Sequence, residues 1–275
     1  MIQRLAALIF LTAGQLGLGM LYAEARPETQ REAEDAALNE TLEGINDRFQ
    51  KVEVQLVEWP AELREKLGEL KRIAFMAFPV KQSGGKLPLL ISLHGAGGRK
   101  MSLQEQLVRS AEVKGLGLAE LAGKDLILLE PNTADIWNVD TLNAMLDSVL
   151  ENHPEIDTNR IYLMGHSMGG IGTWAWINES ADRFAAASPS GIDIGDSGDV
   201  ERLVDLPIWG MVGGADKPDR IAGIKRMVER LRAAGNKQVK YTEFPGADHA
   251  AANAAVFSSV ELVDWMLGFV QSKSH

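Results

Sequence analysis

Short apolar runs alternate with amphipathic stretches along most of the chain. From about residue 70 onwards, each short run is followed by a longer segment whose apolar positions recur every three or four residues. The short runs predict buried strands and the longer segments predict helices. The predicted strands are residues 72–78, 87–93, 125–129, 160–164, 184–187, 207–212 and 239–244. The predicted helices are residues 102–114, 139–152, 168–179, 218–234 and 256–271.

This alternation predicts an α/β fold. Continuous apolar strands separated by amphipathic helices are typical of a mostly parallel sheet with helices on both faces. The segment between the strands at 184–187 and 207–212 is too short for a helical lid. We therefore expect a sheet without a large lid domain.

The first 25 residues have the pattern of a secretory signal peptide. Arg4 precedes an apolar stretch that reaches Tyr22, and residues 23–25 read Ala-Glu-Ala, which is an A-x-A cleavage site. We expect cleavage after Ala25 and a secreted or periplasmic protein without stable membrane insertion. The alternative is an uncleaved N-terminal membrane anchor.

Residues 26–69 are highly charged and differ from the rest of the chain. Leu38, Leu42, Ile45 and Phe49 are spaced to lie on one stripe of a helix. The segment is therefore predicted to be an N-terminal helical extension, and the alternative is a solvated spacer.

Composition excludes several kinds of chemistry. The chain has 275 residues, of which 45% are apolar, and its 38 acidic and 28 basic side chains give a formal net charge of −10. This acidic balance argues against nucleic acid or an anionic membrane as a partner. The absence of cysteine excludes thiol catalysis, disulfide bonds and thiolate zinc sites.

The sharpest motif is G-x-S-x-G at residues 165–169, between a predicted strand and a predicted helix. A serine on a tight strand-to-helix turn presents its hydroxyl in the open, and the flanking glycines let the turn close. The helix N-terminus also offers free N–H groups to a developing oxyanion. Ser167 is therefore the candidate nucleophile, and the alternative is a glycine-rich helix start without chemistry.

A serine nucleophile needs a base, and the chain contains five histidines. His249 follows the last predicted strand, where a parallel sheet delivers side chains to its carboxyl edge. The other four lie in a turn, at a helix end, next to the serine and at the C-terminus: His94, His153, His166 and His275. His249 is therefore the candidate base, and the alternative is an exposed loop histidine.

The base in turn needs a carboxylate that fixes its tautomer. Asp216 follows the strand at 207–212 in a Gly-Gly-Ala-Asp loop and completes the chain order Ser, Asp, His. The competing carboxylates are Asp219, three residues further on, and Asp248, next to His249.

A glycine-rich loop, His-Gly-Ala-Gly-Gly at residues 94–98, follows the strand at 87–93. It lacks the features of a P-loop or a dinucleotide fingerprint. Its backbone can instead turn an N–H group inwards, where it would hold an oxyanion together with the N–H of Met168. Ala96 is the first candidate donor and Gly97 the second.

Substrate contacts are less clearly marked. Trp137, after the strand at 125–129, is a candidate for the cleft wall, and the alternative is packing in the core. His166 is a second candidate because it adjoins Ser167, although the turn is expected to point it away from the serine. No motif indicates a metal site or a cofactor.

Four of these motifs occur in one order along the chain: LHGAGG, GHSMGG, GGAD and FPGADH. Together they resemble the α/β-hydrolase superfamily, and within it the secreted esterases around polyhydroxybutyrate depolymerases, feruloyl esterases and prolyl-oligopeptidase-like predicted peptidases. The likeness covers roughly residues 70–270. Such proteins often carry an aromatic residue shortly after the base, whereas Ala250-Ala-Ala-Asn253 follows His249 here.

The resemblance implies a serine hydrolase that needs no cofactor or metal, with residues 70–275 as its catalytic domain. The residues implied are Ser167, Asp216 and His249 as the catalytic triad, with Ala96 and Met168 as the oxyanion hole. We expect a carboxylesterase that cleaves small or aryl esters through an acyl-enzyme, on a small-molecule or polymeric substrate. The alternatives are a prolyl-oligopeptidase-type peptidase, a polyester depolymerase, an acyltransferase and a non-catalytic binding protein. The oligomeric state is not indicated.

Overall fold

The computed structural model describes four stretches of the chain: residues 28–64, 66–82, 84–192 and 198–271. The predicted signal peptide and its cleavage site after Ala25 lie outside the described residues, as does His275. Within the described stretches, none of the helices combines the length and the apolar character needed to cross a bilayer.

An eight-stranded sheet forms the centre of the molecule. Its strands are β1 (Val52–Glu58), β2 (Ile73–Pro79), β3 (Leu87–Leu93), β4 (Ile127–Glu130), β5 (Ile156–His166), β6 (Ala186–Ser190), β7 (Ile208–Gly213) and β8 (Val239–Phe244). Their spatial order is β1-β2-β4-β3-β5-β6-β7-β8. The pairs β1–β2 and β2–β4 are antiparallel, and the remaining pairs are parallel. The predicted α/β fold with a mostly parallel sheet is confirmed.

Helices cover both faces of this sheet. They are α1 (Glu28–Asn46), α2 (Ala61–Arg64), α3 (Leu103–Val113), α4 (Gly115–Ala122), α5 (Val139–Asn152), α6 (Met168–Ser180), α7 (Pro218–Ala233), α8 (His249–Val256) and α9 (Val260–Leu267). Successive side chains of a strand point to opposite faces, so two apolar clusters form. Leu89 and Ile91 of β3 join α5, α6 and α7 in one cluster. Leu90 joins α1, α3, α4, α8 and α9 in the other.

The C-terminal helix differs from its prediction. Residues 256–271 were expected to form one helix, but the chain forms α8 and α9 with a break between them. Ser259 causes the second helix to begin, because its side chain accepts a hydrogen bond from the N–H of Leu262. Helix α8 begins at His249, expected in a loop, because the side chain of Asp248 accepts a hydrogen bond from the N–H of Ala251.

The N-terminal segment supplies both a helix and a strand. In α1, Leu38 and Ile45 of the predicted stripe are buried, at 2% and 1% exposure. Strand β1, which was not predicted, pairs with β2 along its whole length. The described part of residues 26–69 therefore packs onto the sheet, and a solvated spacer does not describe it.

No lid domain is present in the described part of the chain between β6 and β7. The described residues there form only a short 3-10 turn, Glu201–Leu203, while residues 193–197 lie outside the description. The carboxyl edge of the sheet is left open over the described region.

The packing of α1 predicts a stability effect. Replacing Ile45 with Ala removes buried methylene groups, and such changes typically cost about 2–5 kcal/mol in the free energy of unfolding. Urea denaturation of the two proteins measures the difference. The neighbouring exposed change Glu43→Ala is the control and should cost less than about 0.5 kcal/mol. Equal stability of the two variants would mean that α1 does not dock.

Candidate active site

Ser167 occupies the sharp turn between β5 and α6. Its φ is 62° and its ψ is −124°, and among the described residues it is the one non-glycine residue with a positive φ. Such backbone strain is characteristic of functional turns. The Ser167 hydroxyl forms no hydrogen bond with a described residue, and Ser167 lines a cavity of about 380 Å³.

Two glycines make this turn possible. A Cβ atom at Gly165 would overlap the carbonyl oxygen of Gly169, and one at Gly169 would overlap the carbonyl oxygen of Leu93. Any side chain at these positions would push α6 away from the sheet. The N–H of Ser167 also donates to the carbonyl of Ser190 at 3.0 Å, which ties the turn to β6.

Asp216 and His249 meet where β7 and β8 end. Nδ1 of His249 donates to Oδ2 of Asp216 at 2.6 Å. The other oxygen, Oδ1, accepts hydrogen bonds from the backbone N–H of Lys217 at 2.7 Å and from Nη1 of Arg220 at 3.1 Å. Burial by itself raises the pKa of Asp216. The hydrogen bonds to its charged form, from His249 first, outweigh burial and hold that pKa below its usual value.

The two competing carboxylates have other positions. Asp219 is exposed in the first turn of α7. Asp248 is the N-cap of α8, where its Oδ1 accepts a hydrogen bond from the N–H of Ala251 at 2.8 Å. In the described structure the carboxylate that contacts His249 is therefore Asp216.

His166 lies against His249. The centroids of the two rings are 4.6 Å apart, and His166 is buried, at 2% exposure. Its Nε2 has no hydrogen-bond partner among the described residues. Burial, and then the charges of His249 and Lys114, lower the pKa of His166 to about 3. The ring is therefore neutral, and it borders the same cavity as His249.

The loop after β3 lies next to Ser167. A Cβ atom at Gly95 would be 3.6 Å from the Cβ of Ser167. Ala96 begins a 3-10 turn that includes Gly97, and Met168 begins α6. The first N–H groups of a helix have no acceptor within it, so donors are available from both elements.

The side chain of His94 fixes the conformation of this loop. Its Nδ1 donates to the carbonyl of Gly95 at 2.9 Å, and its Nε2 accepts from the N–H of Thr133 at 3.1 Å. Burial lowers the pKa of His94 to about 4, so the ring keeps one proton, on Nδ1. The carbonyl of His94 accepts a hydrogen bond from Nε1 of Trp137 at 3.0 Å.

The expected position of Trp137 is corrected by these contacts. Its ring centroid is 4.8 Å from that of His94, and its side chain also packs against Gly172 of α6. It is 7% exposed and lies beneath the loop rather than among the residues that border the cavity. An indole that spans a loop and a helix has its polar N–H satisfied and its rings buried, which leaves no face for a substrate.

Several polar residues border the cavity that the sequence motifs do not mark. They are Gln106, Arg109, Ser110, Lys114, Glu130 and Asn253. Five of them lie on helices or at a helix junction, where no motif marks them. Glu130 did carry a signal, because it is the charged end of an otherwise apolar strand.

Glu130 is buried at the end of β4. Its carboxylate accepts hydrogen bonds from Oγ of Ser92 at 2.9 Å, from Oγ of Ser110 and from the N–H of Gly115 at 3.1 Å. Burial raises its pKa, and these donors, together with Lys114, act in the opposite direction. Among the described residues, no group of three or more potential metal-ligating His, Asp or Glu side chains is found.

Part of the chain is similar in sequence to a curated protein. A curated protein of Methylorubrum extorquens, named provisionally as a carboxymethylenebutenolidase, is 34% identical over 102 residues. The match covers 34% of this chain and 35% of that protein, so it spans about a third of the relative's length.

Solved structures share the fold. A thermostable esterase has 25% sequence identity and a TM-score of 0.62, with 82% of this chain and 64% of that chain covered. The shared region is therefore just under two thirds of the esterase. A protein of Klebsiella pneumoniae, named provisionally as a dienelactone hydrolase, has 20% identity and a TM-score of 0.56, with coverage of 79% and 99%.

The family assignment rests on most of the sheet and all the motif loops. Residues 91–261 match the model of the Dienelactone hydrolase family, which is more than half of the chain. The matched range includes Ser167, Asp216 and His249. The resemblance to the α/β-hydrolase superfamily is thus confirmed, and the chain belongs to the dienelactone hydrolase family.

Proposed function

We propose that this hydrolase is a serine carboxylesterase in which Ser167, Asp216 and His249 form the catalytic triad. The observation that carries the proposal is the 2.6 Å hydrogen bond from His249 to Asp216, beside a cavity that Ser167 and His249 both line. A strained serine turn at the same cavity supplies the nucleophile. The three candidate residues therefore lie at one edge of the sheet, which supports the proposal.

The proposed reaction begins when Oγ of Ser167 attacks the ester carbonyl carbon. Nε2 of His249 takes the hydroxyl proton, and Asp216 stabilises the resulting imidazolium. His249 then gives this proton to the leaving alcohol, which departs and leaves an acyl group on Ser167. A water molecule, deprotonated by the same nitrogen, attacks the acyl-enzyme and releases the carboxylic acid and Ser167.

The oxyanion of both tetrahedral intermediates is proposed to be held by backbone N–H groups. Met168 offers the first N–H of α6, and Ala96 offers the first N–H of the 3-10 turn, with Gly97 as the second choice. His94 supports this arrangement because its ring bridges the loop to Thr133. Removing one such donor typically costs about 10²–10³ in rate.

The cavity supports a small substrate. Its volume of about 380 Å³ lies at the lower end of the usual range for small-molecule sites. Small or aryl esters fit this size. The name of the Methylorubrum relative adds a butenolide, which is a cyclic ester, to the substrates to be tried. Opening a lactone uses the same steps, except that the leaving alcohol stays attached to the acyl group.

Loss of the nucleophile tests the proposal directly. Ser167→Ala should lower the turnover of p-nitrophenyl esters by about 10⁴–10⁶, because triad members act as a unit. Its melting temperature should stay close to that of the wild type. The measurement is turnover of esters of graded acyl length, together with a butenolide, by both proteins.

A mild loss of activity in Ser167→Ala would remove Ser167 from the proposed role. If the wild type hydrolyses none of these esters, labelling with a fluorophosphonate becomes the deciding experiment. Labelling of Ser167 would then direct the search to peptide or polymer substrates, and failure to label would support a binding protein on a hydrolase scaffold.

The acid is tested by two matched substitutions. Asp216→Asn removes the charged partner of His249 and should lower kcat by about 10⁴, as the same change does in a serine protease triad. Asp219→Asn, three residues away on the exposed side of α7, should have little effect. A larger loss in Asp219→Asn than in Asp216→Asn would reassign the acid.

We also propose that the protein is exported and that its signal peptide is removed. Support comes from the basic start, the apolar stretch and the Ala-Glu-Ala site in residues 1–25. The mass of the exported protein should correspond to a chain that starts at Arg26. A mass that includes residues 1–25 would instead indicate a retained anchor.

A further inference from the structure

The helix that carries His249 offers little apolar surface for packing. Helix α8 reads His-Ala-Ala-Ala-Asn-Ala-Ala-Val, and its buried side chains are Ala252 and Val256. Hydrophobic stabilisation is roughly proportional to the buried apolar area, and alanine contributes a single methyl group. A helix of this length is also unstable on its own in water. The position of His249 therefore depends on side chains outside α8.

Lys114 provides such contacts. Its Nζ donates a hydrogen bond to Oδ1 of Asn253 and lies 4.3 Å from the ring centroid of Phe257. Asn253 is four residues after His249, and Phe257 is four residues after Asn253. Residues four apart lie on the same side of a helix, so one ammonium group contacts Asn253 and, one turn later, the C-cap residue Phe257.

Lys114 is itself held on a rigid support. It lies at the junction between α3 and α4 and is 8% exposed. Ser110, four residues earlier in α3, and Gly115, the next residue, both donate hydrogen bonds to the buried carboxylate of Glu130. Glu130 also accepts a hydrogen bond from Ser92 of β3. The lysine is thus fixed relative to β3 and β4 rather than carried by a free loop.

We propose that Lys114 is a positioning residue for His249 and acts through Asn253 of α8 and its C-cap residue Phe257. The inference depends on the proposed role of His249 as the base. Asp216, just after β7, fixes the orientation of the imidazole ring, whereas Lys114 fixes the helix that carries the ring. Together they define where Nε2 of His249 lies relative to Ser167.

The charge of Lys114 depends on its surroundings. Burial, and then the charge of Arg109, lower the pKa of Lys114 to about 8, while Glu130 acts in the opposite direction. The charge of Lys114 also acts on His94 and His166. Their pKa values are about 4 and 3, so both are neutral at pH 7. The ammonium is therefore charged below about pH 8. Above that pH it loses its charge and with it the attraction to the ring of Phe257.

The test is the variant Lys114→Met, which keeps a long apolar side chain but removes the ammonium. We expect kcat for p-nitrophenyl acetate, a neutral ester, to fall about 10- to 100-fold, because small displacements of a catalytic group have effects of this size. KM should stay close to the wild-type value. The wild-type kcat should also decline as pH rises through about 8, and the variant should lack this decline.

A spectroscopic measurement reports the position of His249 without any substrate. The proton on Nδ1, which is hydrogen-bonded to Asp216, gives a low-field NMR resonance that should shift or broaden in Lys114→Met. The matched control is Lys124→Met, which removes a lysine near the end of α4 whose Nζ is 2.6 Å from Asp264 of α9. The control should leave kcat and the resonance unchanged.

A second variant tests the inference if Lys114→Met does not fold. Asn253→Ala removes the acceptor on α8 and should lower kcat in the same direction. Where both single variants fold, the double variant should be no worse than Lys114→Met alone, because the two residues act through one contact. Lys114→Arg, which keeps a cation, should retain more activity than Lys114→Met.

Three results would overturn the inference. One is an unchanged kcat and His249 resonance in Lys114→Met. Another is a raised KM confined to anionic esters with unchanged kcat on the neutral ester, which would make Lys114 a substrate-binding group. The third is full additivity of Lys114→Met and Asn253→Ala. If the wild type hydrolyses no ester, the proposed function fails, and the His249 resonance still decides the role of Lys114.

Discussion

The backbone of Ser167 is the constraint on which the rest of the site depends. A non-glycine residue with a φ of 62° outside the common regions costs about 1–3 kcal/mol, and the surrounding fold must offset this cost. It does so through β5, which pairs with β3 and β6 on either side, and through the hydrogen bond from Ser167 to Ser190. Because Gly169 contacts the end of β3, the same packing brings the glycine-rich loop up to the serine.

The electrostatics of the site differ among the three histidines that border the cavity. His94 and His166 are near the serine, but burial lowers their pKa values so far that both rings stay neutral. Asp216 is also buried, yet its hydrogen bonds, from His249 first, hold its pKa below the usual value. Three imidazoles thus border one cavity. His94 and His166 are neutral because they are buried, and His249 is the candidate base.

Sequence patterns predicted the parts of this site that depend on local structure. Ser167, Asp216 and His249 each follow a strand, and parallel strands necessarily present their carboxyl ends at one edge. Strand β1 carried a period-two pattern in Val52 and Val54, but the charged stretch before it concealed that pattern. Trp137 stayed open between the cleft wall and the core, because the sequence does not show whether an indole after a strand turns towards the cavity or beneath the loop.

Residues that act through tertiary contacts could not be predicted from the sequence. Lys114 and Asn253 are 139 positions apart, and their contact exists only because α3, α4 and α8 cover the same face. The alanines of α8 have two consequences that explain this contact. Ala250 and Ala254 border the cavity and leave it room for substrate, where larger side chains would fill it. The same small side chains weaken the packing of the helix that carries His249, so a stronger polar contact has to hold it. In the proposed arrangement, an additional anchor on α8 therefore combines room for a small substrate with a fixed position of His249.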